Sequence, residues 1–154
     1  MVVKRVPLPA SIASLRVLDR VDYDDAFTAD TLCDRTPEQW ARLGLEHASP
    51  SLREPLRFVY NGFRLRPSIR DSPQHVLGWS ILTSTPTEIV LGAAFAPIGV
   101  TARMIVTSPP GRVVMSTLVR IDGAVGRAVW LPGSLVHRAI VPRLLKRAAS
   151  ISAG

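Results

Sequence analysis

Gly123-Ala-Val-Gly-Arg-Ala-Val-Trp-Leu-Pro-Gly-Ser-Leu-Val-His-Arg-Ala-Ile-Val-Pro-Arg-Leu-Leu-Lys-Arg-Ala-Ala149 decides how the rest of the chain must be arranged. Stepped at helical spacing, Val125, Val129, Val136, Ile140, Leu144 and Ala148 fall close to one stripe, the 3.6-residue period of an amphipathic helix. Arg143, Lys146 and Arg147 stand off that stripe near the C-terminus, where cations face the negative end of the helix dipole. Pro132-Gly133 and Pro142 interrupt the run, because proline lacks an N–H and clashes with the carbonyl four residues back. The expectation is a kinked helix or two collinear pieces. An apolar stripe of this length needs a sheet to cover.

Upstream, from His75, the hydrophobic period shifts from 3.6 towards 2. Strands are predicted near 75–84, 88–97, 101–108 and 112–122. Ser84-Thr-Pro86, Ala96-Pro-Ile-Gly99 and Ser108-Pro-Pro-Gly111 separate them. These junctions carry turn chemistry at hairpin length, so the sheet is antiparallel. Val113, Met115, Thr117, Val119 and Ile121 alternate with Val114, Ser116, Leu118, Arg120 and Asp122; the second set ends polar and is expected to face outward. Ile89 to Phe95 is apolar on both sides, and Gly92, Ala93 and Ala94 leave space beside it, either for a ligand or for close packing of another element.

Before the sheet run, Ser14 to Asp25 alternates loosely and reads as a first strand. Its acidic end, Asp22, Asp24 and Asp25, reads as a solvated turn in preference to a catalytic dyad. Thr36-Pro37-Glu38-Gln39 carries a capping box with proline in the first turn. The helix it starts is expected to stop at Gly44. A second helix begins near Ser51, with Leu52, Leu56, Val59 and Phe63 inward and Arg53, Arg57 and Arg64 outward. Tyr60 and Phe63 pack in the core or at its rim, or line a cavity mouth. Pro67 to Pro73 has the composition of a linker.

The 154 residues fit one domain, 1–154, and a 47% hydrophobic fraction excludes a disordered chain. A single cysteine, Cys33, excludes an internal disulfide and disfavours a thiolate metal site, which fits a reducing compartment. Met1 to Leu18 is too proline-broken for a signal peptide, and the apolar run Ile89–Ala102 is too short to span a bilayer. A cytoplasmic protein without integral membrane segments is expected. The net charge of +7 is uneven: residues 17–46 hold eight acids and three bases, and residues 112–154 seven bases and one acid. Basic residues interleaved with stacking aromatics, or a nucleic-acid-binding module, are missing, so no nucleic-acid partner is expected.

No phosphate-binding glycine loop, metal-spaced Cys/His set or nucleophile elbow occurs. No metal, cofactor or catalytic residue is therefore assigned. Ser134 and His137 stand three apart without an acid nearby in sequence, and read as a cap and a core residue.

The order of elements and several short motifs resemble one family. Asp22-Tyr-Asp-Asp-Ala-Phe27, Leu52-Arg53, Gly78-Trp79, Gly126-Arg127-Ala-Val-Trp130, His137-Arg138 and Leu144-Leu145 are similar to an uncharacterised bacterial family of START-like domains, of the SRPBCC or helix-grip type. The resemblance implies an α+β helix-grip fold: a curved antiparallel sheet wrapped on a long kinked C-terminal helix, with two short helices after the first strand. It also implies an apolar cavity between sheet and helix. A fold of this kind does not by itself assign a function. The expected partner is an apolar or amphipathic small molecule, a lipid or an aromatic, polyketide-like metabolite, with His137, Trp79, Tyr60, Phe95 and Trp130 lining its site. His137 is expected near Trp79 or Tyr60, orienting a polar group of the ligand. Two alternatives stand beside this reading. A cyclase- or hydratase-like enzyme would need two of His137, Asp25 and Tyr23 facing one another. A module for a protein partner or an acidic membrane would use Arg143, Lys146 and Arg147.

Overall fold

Proline and glycine punctuate the second half of the chain where its strands reverse. A computed structural model describes residues 2–52 and 73–151. Its elements in chain order are β1 (Val3–Val6), α1 (Ala10–Ala13), β2 (Tyr23–Asp30), α2 (Pro37–Leu45), β3 (His75–Val76), β4 (Trp79–Ser84) and β5 (Glu88–Phe95). A 3₁₀ turn (Ala96–Ile98), β6 (Val100–Thr107), β7 (Arg112–Ile121) and α3 (Gly123–Ile151) follow. The strands form one curved, unclosed antiparallel sheet in the order β1-β2-β7-β6-β5-β4-β3. With the long C-terminal helix packed on it, this is the α+β architecture expected of a helix-grip domain.

The turn chemistry explains the register. Leu77 and Gly78 both have positive φ, 46° and 85°, and join His75-Val76 to Trp79-Ser80 as a two-residue hairpin turn. The expected strand 75–84 is therefore two strands. At Pro109-Pro110-Gly111 the Arg112 amide donates to the Pro109 carbonyl at 3.1 Å, and Gly111 takes φ +76°.

The expected strand over 14–25 is displaced. The strand starts at Tyr23, and residues 14–22 form a loop with Arg16 at φ 47°. Arg20 ties this loop to Asp22 and Asp122, and Arg120 bridges Asp19 and Asp122. Those ion pairs claim side chains that the strand alternation would have placed on opposite faces. The capping box at Thr36 forms as expected, with the Gln39 amide donating to Thr36 Oγ1 and the Thr36 amide to Gln39 Oε1. The helix does not stop at Gly44, which is buried within it. Residues 50–52 begin a helical turn as expected. The remainder of that expected second helix, with Tyr60 and Phe63, lies outside the described residues.

Helix α3 runs through Pro132 and Pro142 as one element, not as two pieces. Its inward line differs from the expected stripe in the first half. Val125 and Val136 are exposed, and Gly126, Ser134, Val141, Leu144, Leu145 and Ala148 are buried. Nor is α3 the only cover of the concave face. It lies over β1, β2 and β7, while α2 lies over β3, β5 and β6 and packs against α3. The core between them holds Trp40, Leu45, Leu91, Met115 and Leu144.

On β7 the predicted alternation holds, with Val113, Met115, Val119 and Ile121 in the main core and Arg120 outside. The outer face is nevertheless not bare. Ile12 on α1, with Leu8, Val17 and Leu18, covers Val90, Ile105 and Leu118 in a second cluster.

Candidate functional site

Strand β2 places alternate side chains on the concave face, so Tyr23, Asp25 and Phe27 share one side. Across the ladder Tyr23 faces Val119, Asp25 faces Thr117 and Phe27 faces Met115. Strand β1 ends opposite Ala26, so Tyr23–Asp25 extend past its last pair. Over this end of β2, α3 lays Trp130, His137 and Arg138.

The contacts made there are polar within an otherwise apolar seam. The Asp25 carboxylate is fully buried, and His137 Nε2 lies 3.3 Å from its Oδ2 and 3.1 Å from Thr117 Oγ1. Tyr23 donates its hydroxyl proton to Asp25 Oδ2 at 2.6 Å and accepts from Arg138 Nε at 3.0 Å. The Arg138 guanidinium also stands 5.2 Å above the Tyr23 ring. Trp130 meets Tyr23 edge-on at 5.2 Å between centroids and lies 5.9 Å from the His137 ring. Its indole Nε1 is buried without a hydrogen-bond partner among the described residues.

Burial alone would raise the Asp25 pKa. The hydrogen bond and charge of His137, with hydrogen bonds from Tyr23 and Thr117, outweigh it and hold the carboxyl below its ordinary value of 3.8. Burial, then the Asp25 hydrogen bond, pushes the Tyr23 phenol up to about 12, with Arg138 opposing. Tyr23 thus stays protonated and Asp25 ionised near neutral pH. Because the ionised Asp25 can only accept, His137 Nε2 carries the proton that it turns towards Asp25 and Thr117.

Among the expected site residues, His137 and Trp130 come together. Trp79 does not join them. It continues the row Tyr23–Val119–Ala102–Ala93 on β4, four strand spacings from Tyr23, roughly 19 Å along the sheet. It is buried on the side that α2 covers. Phe95 is buried one pleat further on, in the row Phe95–Val100–Ile121 near the start of α3. Tyr60 lies outside the described residues.

Asp25 is not in a solvated turn; it is the acid that His137 lacked in the local sequence, supplied from 112 residues away. Ser134 has no part in this cluster, since its hydroxyl donates to the Leu131 carbonyl at 2.8 Å. Thr117 gave no signal in sequence beyond its inward register on β7.

Of the small residues on β5, only Ala93 faces the seam. Ala94 is exposed, and the space at Gly92 is already filled by Leu82, whose Cδ1 would lie 2.7 Å from an added Cβ. A groove of about 650 Å³ lies on the opposite face of the sheet, bordered by Pro9, Thr28, Thr107 and Arg112. No group of His, Cys, Asp and Glu among the described residues is arranged to hold a metal ion. None of the described helices is long and apolar enough to cross a membrane. Compared with known proteins, the chain matches no protein-family model, no curated protein and no solved structure at a significant level.

Proposed function

We propose that the protein binds an apolar or amphipathic small molecule, a lipid or an aromatic, polyketide-like metabolite, between the sheet and α3. The polar end of the ligand sits at His137 and Trp130. The observation that supports this reading is the Tyr23–Asp25–Thr117–His137 cluster in an apolar seam, with Asp25 and Thr117 buried and Tyr23 and His137 half-buried, beside a buried indole N–H with no acceptor among the described residues. Orphaned buried donors are costly, and a ligand oxygen accepting from Trp130 Nε1 would remove that cost. The side chains of Val119, Ala102 and Ala93 are short, and they lie in one row leading away from Tyr23. That row is where the apolar body of the ligand would lie, in keeping with sites that are mostly apolar with few polar anchors.

The test is native mass spectrometry of the purified chain, followed by a screen of lipids and aromatic metabolites against the parent and His137→Leu. The parent retains a ligand, and the variant folds but binds it about tenfold more weakly, the worth of one hydrogen bond. An empty parent, or a variant that binds equally well, overturns the proposal. A second reading, a cyclase- or hydratase-like enzyme, is favoured by the mutual contact of Asp25, His137 and Tyr23. Asp25 would orient the imidazole and His137 Nδ1 would take the substrate proton. The same screen separates the two readings, because only an enzyme releases the ligand chemically changed.

A further inference from the structure

Helix α3 is apolar on two opposite sides, and only one of them is covered. On the uncovered side Leu131 is 75% exposed, Leu135 66%, Val125 61% and Val136 44%. Leu131, Leu135 and Ala139 follow one another at four-residue spacing, as do Ala128, Pro132 and Val136, so these side chains form one continuous outward strip. Lys146 and Arg143 lie on the continuation of that strip towards the C-terminus, and Arg127 and Arg147 flank it. All four are exposed, and the helix contains no acidic residue over its 29 positions. Single exposed leucines are ordinary on a protein surface; a contiguous apolar strip bordered by charge of one sign is not.

We propose that this outer face of α3 docks on the surface of an anionic phospholipid bilayer, with Leu131, Leu135 and Val136 entering the headgroup boundary and the basic side chains meeting lipid phosphates. The choice of occupant rests on charge complementarity. A second copy of the chain seated on the same strip would set arginines against arginines with no acid on either helix to relieve them. A bilayer offers both halves of the match: an apolar layer for the leucines and anionic headgroups for the flanking bases. The strip is the convex side of a single helix, which suits a broad, yielding surface. Docking leaves the opposite side of α3, with His137 and Trp130, against the sheet, so this inference stands whether or not the seam binds a ligand.

The test is sedimentation of the full chain with phosphatidylcholine vesicles, with and without phosphatidylglycerol, at low and high salt. The parent should bind only the vesicles containing phosphatidylglycerol, and binding should fall as salt rises. The triple variant Arg143→Gln, Lys146→Gln, Arg147→Gln and the double variant Leu131→Ser, Leu135→Ser should each lose on the order of tenfold or more in vesicle affinity while melting like the parent. Absence of binding to the anionic vesicles, or binding that ignores both variants, overturns the proposal. So does a parent that self-associates in sedimentation velocity through the leucines, because the strip is then an interface between copies.

Discussion

Asp25 gathers Tyr23, Thr117 and His137 around one buried carboxylate, and its removal should be felt by all three. Asp25→Ala leaves a half-buried phenol and imidazole without their acceptor, a loss of about 1–3 kcal/mol in a denaturant titration. Because the folded carboxyl titrates below its ordinary 3.8, its contribution is fully present above that value. It is lost as pH falls from there through the lower folded value. Asp25→Asn should therefore flatten the acid limb of the stability profile, though not abolish it, since Asp19 and Asp22 are shifted the same way by Arg120 and Arg20. At alkaline pH the sign reverses. Tyr23, raised to about 12, favours the folded state below its ordinary 10.0, and that favour is lost as pH rises through 12. Phenolate absorbance should show one tyrosine titrating near 12 in the parent and at lower pH in Asp25→Asn. Little of this was legible in the sequence. His137 could be placed inward by its spacing from Val141 and Leu144. Asp25, however, looked like one of three acids at a turn, because its partners are supplied by strand pairing and helix docking across 92 and 112 residues.

Close approach of backbones fixes how α3 sits, and two glycines report on it in opposite ways. At Gly126 an added Cβ would stand 2.6 Å from the Ile98 carbonyl oxygen and 2.9 Å from Ile121 Cγ2. A backbone oxygen does not yield as a side-chain tip does, so Gly126→Ala should push the start of α3 off the sheet at a cost of about 1–3 kcal/mol. At Gly44, where α2 meets α3, the same Cβ would meet Met115 Cε at 3.7 Å and the Leu144 carbonyl oxygen at 3.9 Å, ordinary contact. Gly44 lies inside a helix, so Gly44→Ala should be neutral or stabilise by up to about 1 kcal/mol. Thermal melts of the two variants check the pair, and equal destabilisation would contradict this account of the packing. The elements themselves were largely readable, since prolines and glycines mark the ends of β5, β6 and β7 within two residues. The stripe of α3 was not. Hydrophobicity alone put Val125 and Val136 inward, whereas the small Gly126 and Ser134 face the sheet because the helix approaches it closely there.

Across the molecule, the sheet is covered on both faces, unevenly. Helices α2 and α3 close the concave side, and the N-terminal segment straps the outer side, held by β1 at the sheet edge and by Ile12 in the second cluster. Ile12 is 2% exposed and sits with Val90, Ile105 and Leu118, three side chains from three adjacent strands. Those outward residues looked like one apolar side of strands with no stated cover, and a segment broken by two prolines, Pro7 and Pro9, gave no helical period by which to assign it. The strap is short, so its hold depends on few contacts, and Ile12 is the best buried of them. Ile12→Ala removes several methyl and methylene groups from a closed site and should cost about 2–5 kcal/mol. The loss should be local in its consequence. Amides of β1 and residues 7–18 should exchange hydrogen faster, while those of β6 and β7 remain protected by the concave core. Hydrogen exchange of the variant checks this directly. Unchanged protection at the N-terminus would mean that β1 pairing alone holds the strap. Loss of protection throughout β6 and β7 would mean that the two faces of the sheet unfold as one unit.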